Sequence, residues 1–243
     1  MPVNPRYSRL VAILLGPVLL PQARHARRTI PRLPDAAYPW DGTIPGRDPV
    51  TILVLGDSTA AGVGAVTQDD ALPGNLARRL SAEWERGARW RAIGENGATS
   101  KDIVRRYLAE ASTQAYDFIF VSVGANDALK LRSRRAFRRN FRTILRRLRS
   151  VSPRALILVS SLPGFSQFDA LPNPLRWALG LHSTSLEGVA RRFAASEPGV
   201  LMSPPAPEYT PGFFASDGFH PSAQGYREWV EFALTDAKLV RAS

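Results

Sequence analysis

Val50-Thr51-Ile52-Leu53-Val54-Leu55 runs directly into Gly56-Asp57-Ser58-Thr59. A short apolar, β-branched run bounded by a turn signal reads as a strand buried on both faces. Such strands belong to parallel sheets covered by helices on each side. The polar, glycine-bearing turn that follows lies where these sheets gather their chemistry, at the carboxyl end of a strand.

Outward from that stretch, apolar strands alternate with helical periods. Leu72, Leu76, Leu80 and Trp84 recur at four-residue spacing within 71–84, one face of a helix. Residues 90–93 read as a short strand, 101–111 as a helix and 117–123 as a strongly apolar strand. Phe137, Phe141, Ile144, Leu145 and Leu148 share a helical face, with arginines opposite. Residues 155–160 form a fourth strand, Val200 and Leu201 mark a fifth, and Pro221 to Leu239 closes the chain as a helix. The alternation predicts an α/β fold with a mostly parallel sheet between two helical layers.

The chain has 243 residues, a size for one ordinary domain, and 44% of them are hydrophobic, enough for a real core. It has no cysteine, which excludes disulfides, thiolate metal sites and a cysteine nucleophile. The net charge of +11 is placed unevenly. Residues 1–34 hold six arginines and no acid, and residues 130–149 hold ten basic residues and no acid. These segments carry +16 together, so the rest of the chain stands at −5. The basic excess is therefore a local property of two segments.

Three segments are expected: an Arg-flanked apolar segment over 1–28, a Pro-rich extended linker over 29–49, and a folded domain over 50–243. The run Leu10 to Leu20 is too short to span a bilayer and contains Pro17. It suits an interfacial anchor, a signal or signal-anchor, or a helix packed on the domain. A membrane-associated or cytoplasmic location is favoured, with export left open.

Polar turns follow the strands: Gly56-Asp57-Ser58-Thr59, Gly94-Glu95-Asn96-Gly97-Ala98-Thr99 and Gly124-Ala125-Asn126-Asp127. Asp217-Gly218-Phe219-His220-Pro221 precedes the last helix. A serine at a helix start is most often an N-cap. His220, one of three histidines, changes the reading because Asp217 lies three residues before it. That spacing lets the carboxylate orient the imidazole and leaves the other ring nitrogen free as a general base for Ser58. Acyl transfer also needs donors for the oxyanion: the Gly97 N–H, the Asn126 amide and the Ser58 N–H are candidates. Taken singly, Gly97 and Asn126 read more readily as turn residues; it is their occurrence together with Ser58 and the Asp217–His220 pair that favours the acyl-transfer reading. Asp102 and Asp127 lie beside no histidine, and Asp127 is expected to brace the loop of Asn126.

These four segments, in this order, resemble the four sequence blocks of the SGNH hydrolases, also called GDSL-type esterases and lipases. The similarity covers roughly residues 50–240. It implies a three-layer α/β/α sandwich resembling flavodoxin, and a serine esterase acting through an acyl-enzyme. It implies Ser58 as nucleophile, His220 as base, Asp217 as its orienting acid, and Ser58, Gly97 and Asn126 as the oxyanion hole, with no metal or organic cofactor. Two departures stand out: Thr59 replaces the usual leucine, and Asn96 replaces the usual apolar-serine run before Gly97, with Gly94 as the competing glycine.

Leu162 to Leu181 concentrates Phe165, Phe168, Leu171, Leu175, Trp177 and Leu179, either as core under a long loop or as a wall for an acyl chain. Expected substrates are small-molecule or lipid esters, lysophospholipids and short-to-medium acyl esters among them. The basic segments 1–34 and 130–149 are either solvated faces or contacts to an anionic membrane. Nucleic acid is not expected, since Phe137 and Phe141 sit on the apolar face and not among the arginines. The rival function is a non-catalytic module of the same fold that binds anionic membrane surfaces.

Overall fold

The structure, a computed structural model, describes residues 4–235. The chain opens with helices α1 (Ser8–Leu14) and α2 (Gly16–Thr29), separated at Leu15 ahead of Pro17. Strands β1 (Asp41–Ile44) and β2 (Val50–Gly56), helix α3 (Leu72–Trp84) and strand β3 (Ala88–Gly94) follow. Helix α4 (Ser100–Asp102) is one turn that continues as a π turn over Ile103–Tyr107. Then come β4 (Phe118–Ser122), α5 (Ala125–Leu129), α6 (Arg134–Val151), β5 (Leu156–Val159), α7 (Leu175–Ala194), β6 (Val200–Met202) and α8 (Ala223–Leu234). The closing helix, expected over 221–239, is thus seen from Ala223 to Leu234, and 236–239 lie outside the described residues.

The sheet order is β1-β3-β2-β4-β5-β6, parallel throughout except for β1, which pairs antiparallel with β3. Its five parallel strands follow the doubly wound order of flavodoxin-like folds, which reverses direction between β2 and β4. Two apolar layers result. One cluster joins Leu53, Leu55, Ile119 and Val121 to α6, α7 and the amino-terminal helices. The other joins Ile52, Val54, Phe118 and Phe120 to α3 and α8. Alternate residues of the same strands feed opposite layers, as the two-residue period of a strand requires.

In two places the structure departs from the sequence reading, and in a third it shows one of the alternatives offered there. Within 29–49, expected as a linker, Asp41-Gly42-Thr43-Ile44 adds an edge strand whose half-exposed residues carry no apolar alternation to detect. The segment from Leu175 is helical for 20 residues, through Ala194. Its buried stripe, which includes Leu175, Leu179, His182, Leu186, Val189 and Phe193, is interrupted in sequence by Gly180 and Gly188. The amino-terminal helices pack on the domain: Ser8, Ala12, Leu19 and Ala26 are buried, and Ser8 Oγ meets His182 Nδ1 at 2.9 Å.

Glycine is required where the strand ends converge. A Cβ on Gly94 would lie 2.3 Å from Gly56 O and 3.0 Å from Ala60 Cβ. Gly94→Ala should cost about 1–3 kcal/mol, the usual range for forced overpacking, read as a lower urea midpoint.

Candidate active site

The turn after β2 is tightly wound. Ala60 N–H and Ala61 N–H both donate to Asp57 O at 3.1 Å, and Val63 N–H donates to Ser58 O at 3.0 Å. Gly64 has a φ of +95°, and a Cβ there would lie 2.2 Å from Pro221 O. That glycine seats the segment following Ser58 directly against the residue following His220. Tyr226, fully buried in α8, donates to Val63 O at 2.7 Å and fixes the same contact from the other side.

His220 and Asp217 form the pair their spacing predicted. His220 Nδ1 and Asp217 Oδ2 are 2.6 Å apart. Asp217 Oδ1 accepts the N–H groups of Phe219 and His220, each at 2.9 Å. Burial pushes the Asp217 carboxyl up, but the bonds from the His220 ring and these two N–H groups outweigh it and hold the carboxyl below its ordinary value. With Nδ1 engaged, Nε2 has no hydrogen-bond partner among the described residues. Ser58 Oγ has none among them either, and Ser58 and His220 open on one cavity.

That cavity measures about 550 Å³ and is overwhelmingly apolar. Phe165 and Phe168, from the segment read as core or wall, line it. Tyr209, Phe213, Phe214 and Phe219 complete the wall; Phe168 centres on Phe214 and Phe219 at 4.9 and 5.1 Å. Tyr209, Phe213 and Phe214 come from a Pro-rich loop that gave no periodic signal, although their aromatic clustering beside the Asp217 block was visible.

The two other candidate donors stand on neighbouring loops. Asn126 Nδ2 donates to Asp57 Oδ2 at 3.3 Å, which brings the third block beside the first. Gly97 occupies a turn closed by Ala98 N–H to Glu95 O at 3.0 Å, with a φ of +81° and open space above its Cα. Gly94, its competitor, is instead packed against Gly56. Asp127 accepts Ser100 N–H and Ser100 Oγ–H, both at 2.7 Å, and so ties the loop of Gly97 to that of Asn126. Neither Gly97 nor Asn126 lines the cavity; they follow β3 and β4, the two strands that flank β2. Asp102 closes a capping box with Thr99 and takes no part in the His220 pair. His182 sits apart, between Ser8 and Arg132 O. No cluster of metal-ligating side chains occurs among the described residues.

Residues 54–228 match the GDSL-like Lipase/Acylhydrolase family. A GDSL-like esterase of Mycobacterium tuberculosis is 29% identical over an alignment spanning 90% of this chain and 76% of that protein. Among solved structures, a lipase from a goat rumen metagenome superposes with a TM-score of 0.63 at 18% identity, covering 80% of this chain and 100% of that one. The family 3 carbohydrate esterase of Clostridium thermocellum gives 0.60 at 17% identity, covering 77% and 94%. A non-catalytic module is not the reading these matches favour.

Asp57 supplies a pH test. Burial pushes its carboxyl up to about 6, against bonds from Thr59 and the nearby His220 that pull it down. The folded value exceeds the unfolded one, so the group's contribution to stability is full below about pH 4 and is lost as pH rises through about 6. Relative to Asp57→Asn, the wild-type unfolding free energy should fall by roughly 2 kcal/mol between pH 4 and pH 7. Urea melts of both proteins across that window measure it.

Proposed function

We infer that this chain, which belongs to the GDSL-like lipase/acylhydrolase family and is a carboxylic ester hydrolase, cleaves esters of medium-length acyl chains through Ser58. The observation that carries this reading is a single one: Ser58 and the His220–Asp217 pair open on the same aromatic cavity.

In this mechanism Ser58 Oγ attacks the acyl carbon as its proton passes to His220 Nε2. Asp217 holds the ring by Nδ1 and stabilises the imidazolium. The negative charge that develops on the carbonyl oxygen is met by the N–H groups of Ser58 and Gly97 and the amide of Asn126. Collapse of the tetrahedral adduct breaks the ester C–O bond, and His220 returns the proton to the departing alkoxide. Water, deprotonated by His220, then attacks the acyl-enzyme and releases the acid and Ser58. Asp127 acts as a positioning residue, because its two bonds to Ser100 set the loop of Gly97 against that of Asn126.

The cavity selects the acyl group. A volume of about 550 Å³ lined by Leu162, Phe165, Phe168, Phe214 and Phe219 rewards burial of successive methylenes, each worth about 0.8 kcal/mol when fully buried. An acetyl group would leave most of that wall uncovered.

Ser58→Ala should lower turnover of a p-nitrophenyl ester by several orders of magnitude while the fold, read by circular dichroism, is unchanged. A series from acetyl to dodecanoyl esters should show kcat/KM rising to a medium-chain maximum. Phe214→Trp should move that maximum to shorter chains. A sharp acetyl optimum would remove the acyl-cavity reading and leave ester hydrolysis standing.

A further inference from the structure

Helices α1 and α2 are turned the opposite way from an ordinary surface helix. Their domain-facing stripe is narrow and made of Ser8, Ala12, Leu19 and Ala26, with Leu15 and Ala23 partly covered beside it. The outward face is apolar: Tyr7, Leu10, Ile13, Leu14, Val18 and Leu20 are all exposed, Leu14 at 80%. Of the nine large apolar side chains the described residues leave exposed, these are six, so the exposure is concentrated and not scattered. Pro17 and Pro21 are exposed among them. A solvated helix would show polar residues here.

The position is held firmly. Gln22 donates to Asn173 O and accepts Leu175 N–H, and Ser8 meets the buried His182. The apolar face is therefore presented by a docked element, and it spans roughly 20 Å at 1.5 Å per residue. No described helix is long and apolar enough to cross a bilayer.

Charge identifies the occupant. Arg6 and Arg9 stand at one end of the apolar stretch and Arg24, Arg27 and Arg28 at the other, with no acid anywhere in 1–34. Arg134, the first residue of α6, has its charge disfavoured by burial and then by the nearby guanidinium groups of Arg192 and Arg6. The start of the second basic segment thus lies beside the start of the first, where His182 also joins Ser8 to Arg132 O. A second copy docked on this face by a two-fold axis would bring arginine ends against arginine ends. An anionic lipid surface accepts both features, with the apolar side chains below the headgroups and the arginines among them.

We propose that the outward face of α1 and α2 is a peripheral docking surface for an anionic lipid bilayer, inserted to headgroup depth. Placement of the substrate cavity follows from it. Segment Phe165–Gln167 packs on α7, the helix that α1 and α2 cover, and Phe165 lines the cavity. Docking therefore places two helical layers, α1 with α2 and then α7, between the bilayer and that part of the cavity wall. The binding claim itself goes beyond ester hydrolysis and is independent of it.

The test uses the full chain with equimolar phosphatidylcholine/phosphatidylglycerol vesicles and with phosphatidylcholine alone. Co-sedimentation should be strong with the anionic vesicles and weak with the neutral ones, and should fall with salt. The double variant Ile13→Ser/Leu14→Ser should lose about ten-fold or more in partitioning, with turnover of a soluble p-nitrophenyl ester unchanged. As a fold-independent measure, the cysteine-free chain allows Leu14→Cys to carry an environment-sensitive fluorophore. Its emission should shift to the blue with anionic vesicles, while Ala82→Cys, exposed on α3 over the opposite face of the sheet, should not respond. Equal binding by the double variant, an unshifted Leu14→Cys probe, or a dimer that the double variant dissociates without any vesicle binding would each overturn the proposal. Loss of ester hydrolysis with vesicle binding intact would count against the mechanism above and not against this surface.

Discussion

At the carboxyl ends of β2 and β3 the backbones approach so closely that no side chain fits between them. A Cβ on Gly56 would meet Ser122 O at 2.4 Å, and one on Gly94 would meet Gly56 O at 2.3 Å. Three parallel strands therefore deliver their following loops to one place, at the point where the strand order reverses. The serine turn, the loop of Gly97 and the loop of Asn126 are neighbours because of this convergence. The fourth block is brought in separately, by Gly64 against Pro221 and by Tyr226 reaching Val63.

Three buried aspartates around this point differ in what surrounds them. Asp217 accepts three hydrogen bonds, from the His220 ring and two backbone N–H groups, and is held below its ordinary value. Asp127 receives two bonds from Ser100 and remains raised, with burial the larger effect. Asp57, also buried, is raised to about 6. The same carboxyl group is thus a charged partner for an imidazole in one place and a loop tie in another. What separates them is that Asp217 bonds the His220 ring directly and its donors outweigh burial, whereas burial remains the larger effect at Asp57 and Asp127.

Much of this was legible in the chain itself. The parallel strands are long apolar runs because both of their faces are buried, and that pattern needs no tertiary information. The Asp217–His220 pair was legible because three residues of spacing close within one turn. The edge strand Asp41–Ile44 was not, because an edge is stabilised by its neighbour's backbone and leaves no apolar signature. Helix α7 was hidden by Gly180 and Gly188 and by an aromatic lead-in that read as a loop. The aromatic wall drew Tyr209, Phe213 and Phe214 from a stretch without periodicity, and only the fold sets them opposite Phe165 and Phe168. The outward side of α1 and α2 shows the same limit. An apolar run announces burial in sequence, and only the packing reveals which half of it stays uncovered.

The bond between Ser8 and His182 has a practical consequence for anyone handling this protein. His182 is fully buried, with Nδ1 on Ser8 and Nε2 on the carbonyl of Arg132. An expression design that deletes the apolar start to gain solubility would leave that imidazole half-satisfied and strip the cover from α7. The shortened chain would exchange a few exposed leucines for a newly opened seam in its own core.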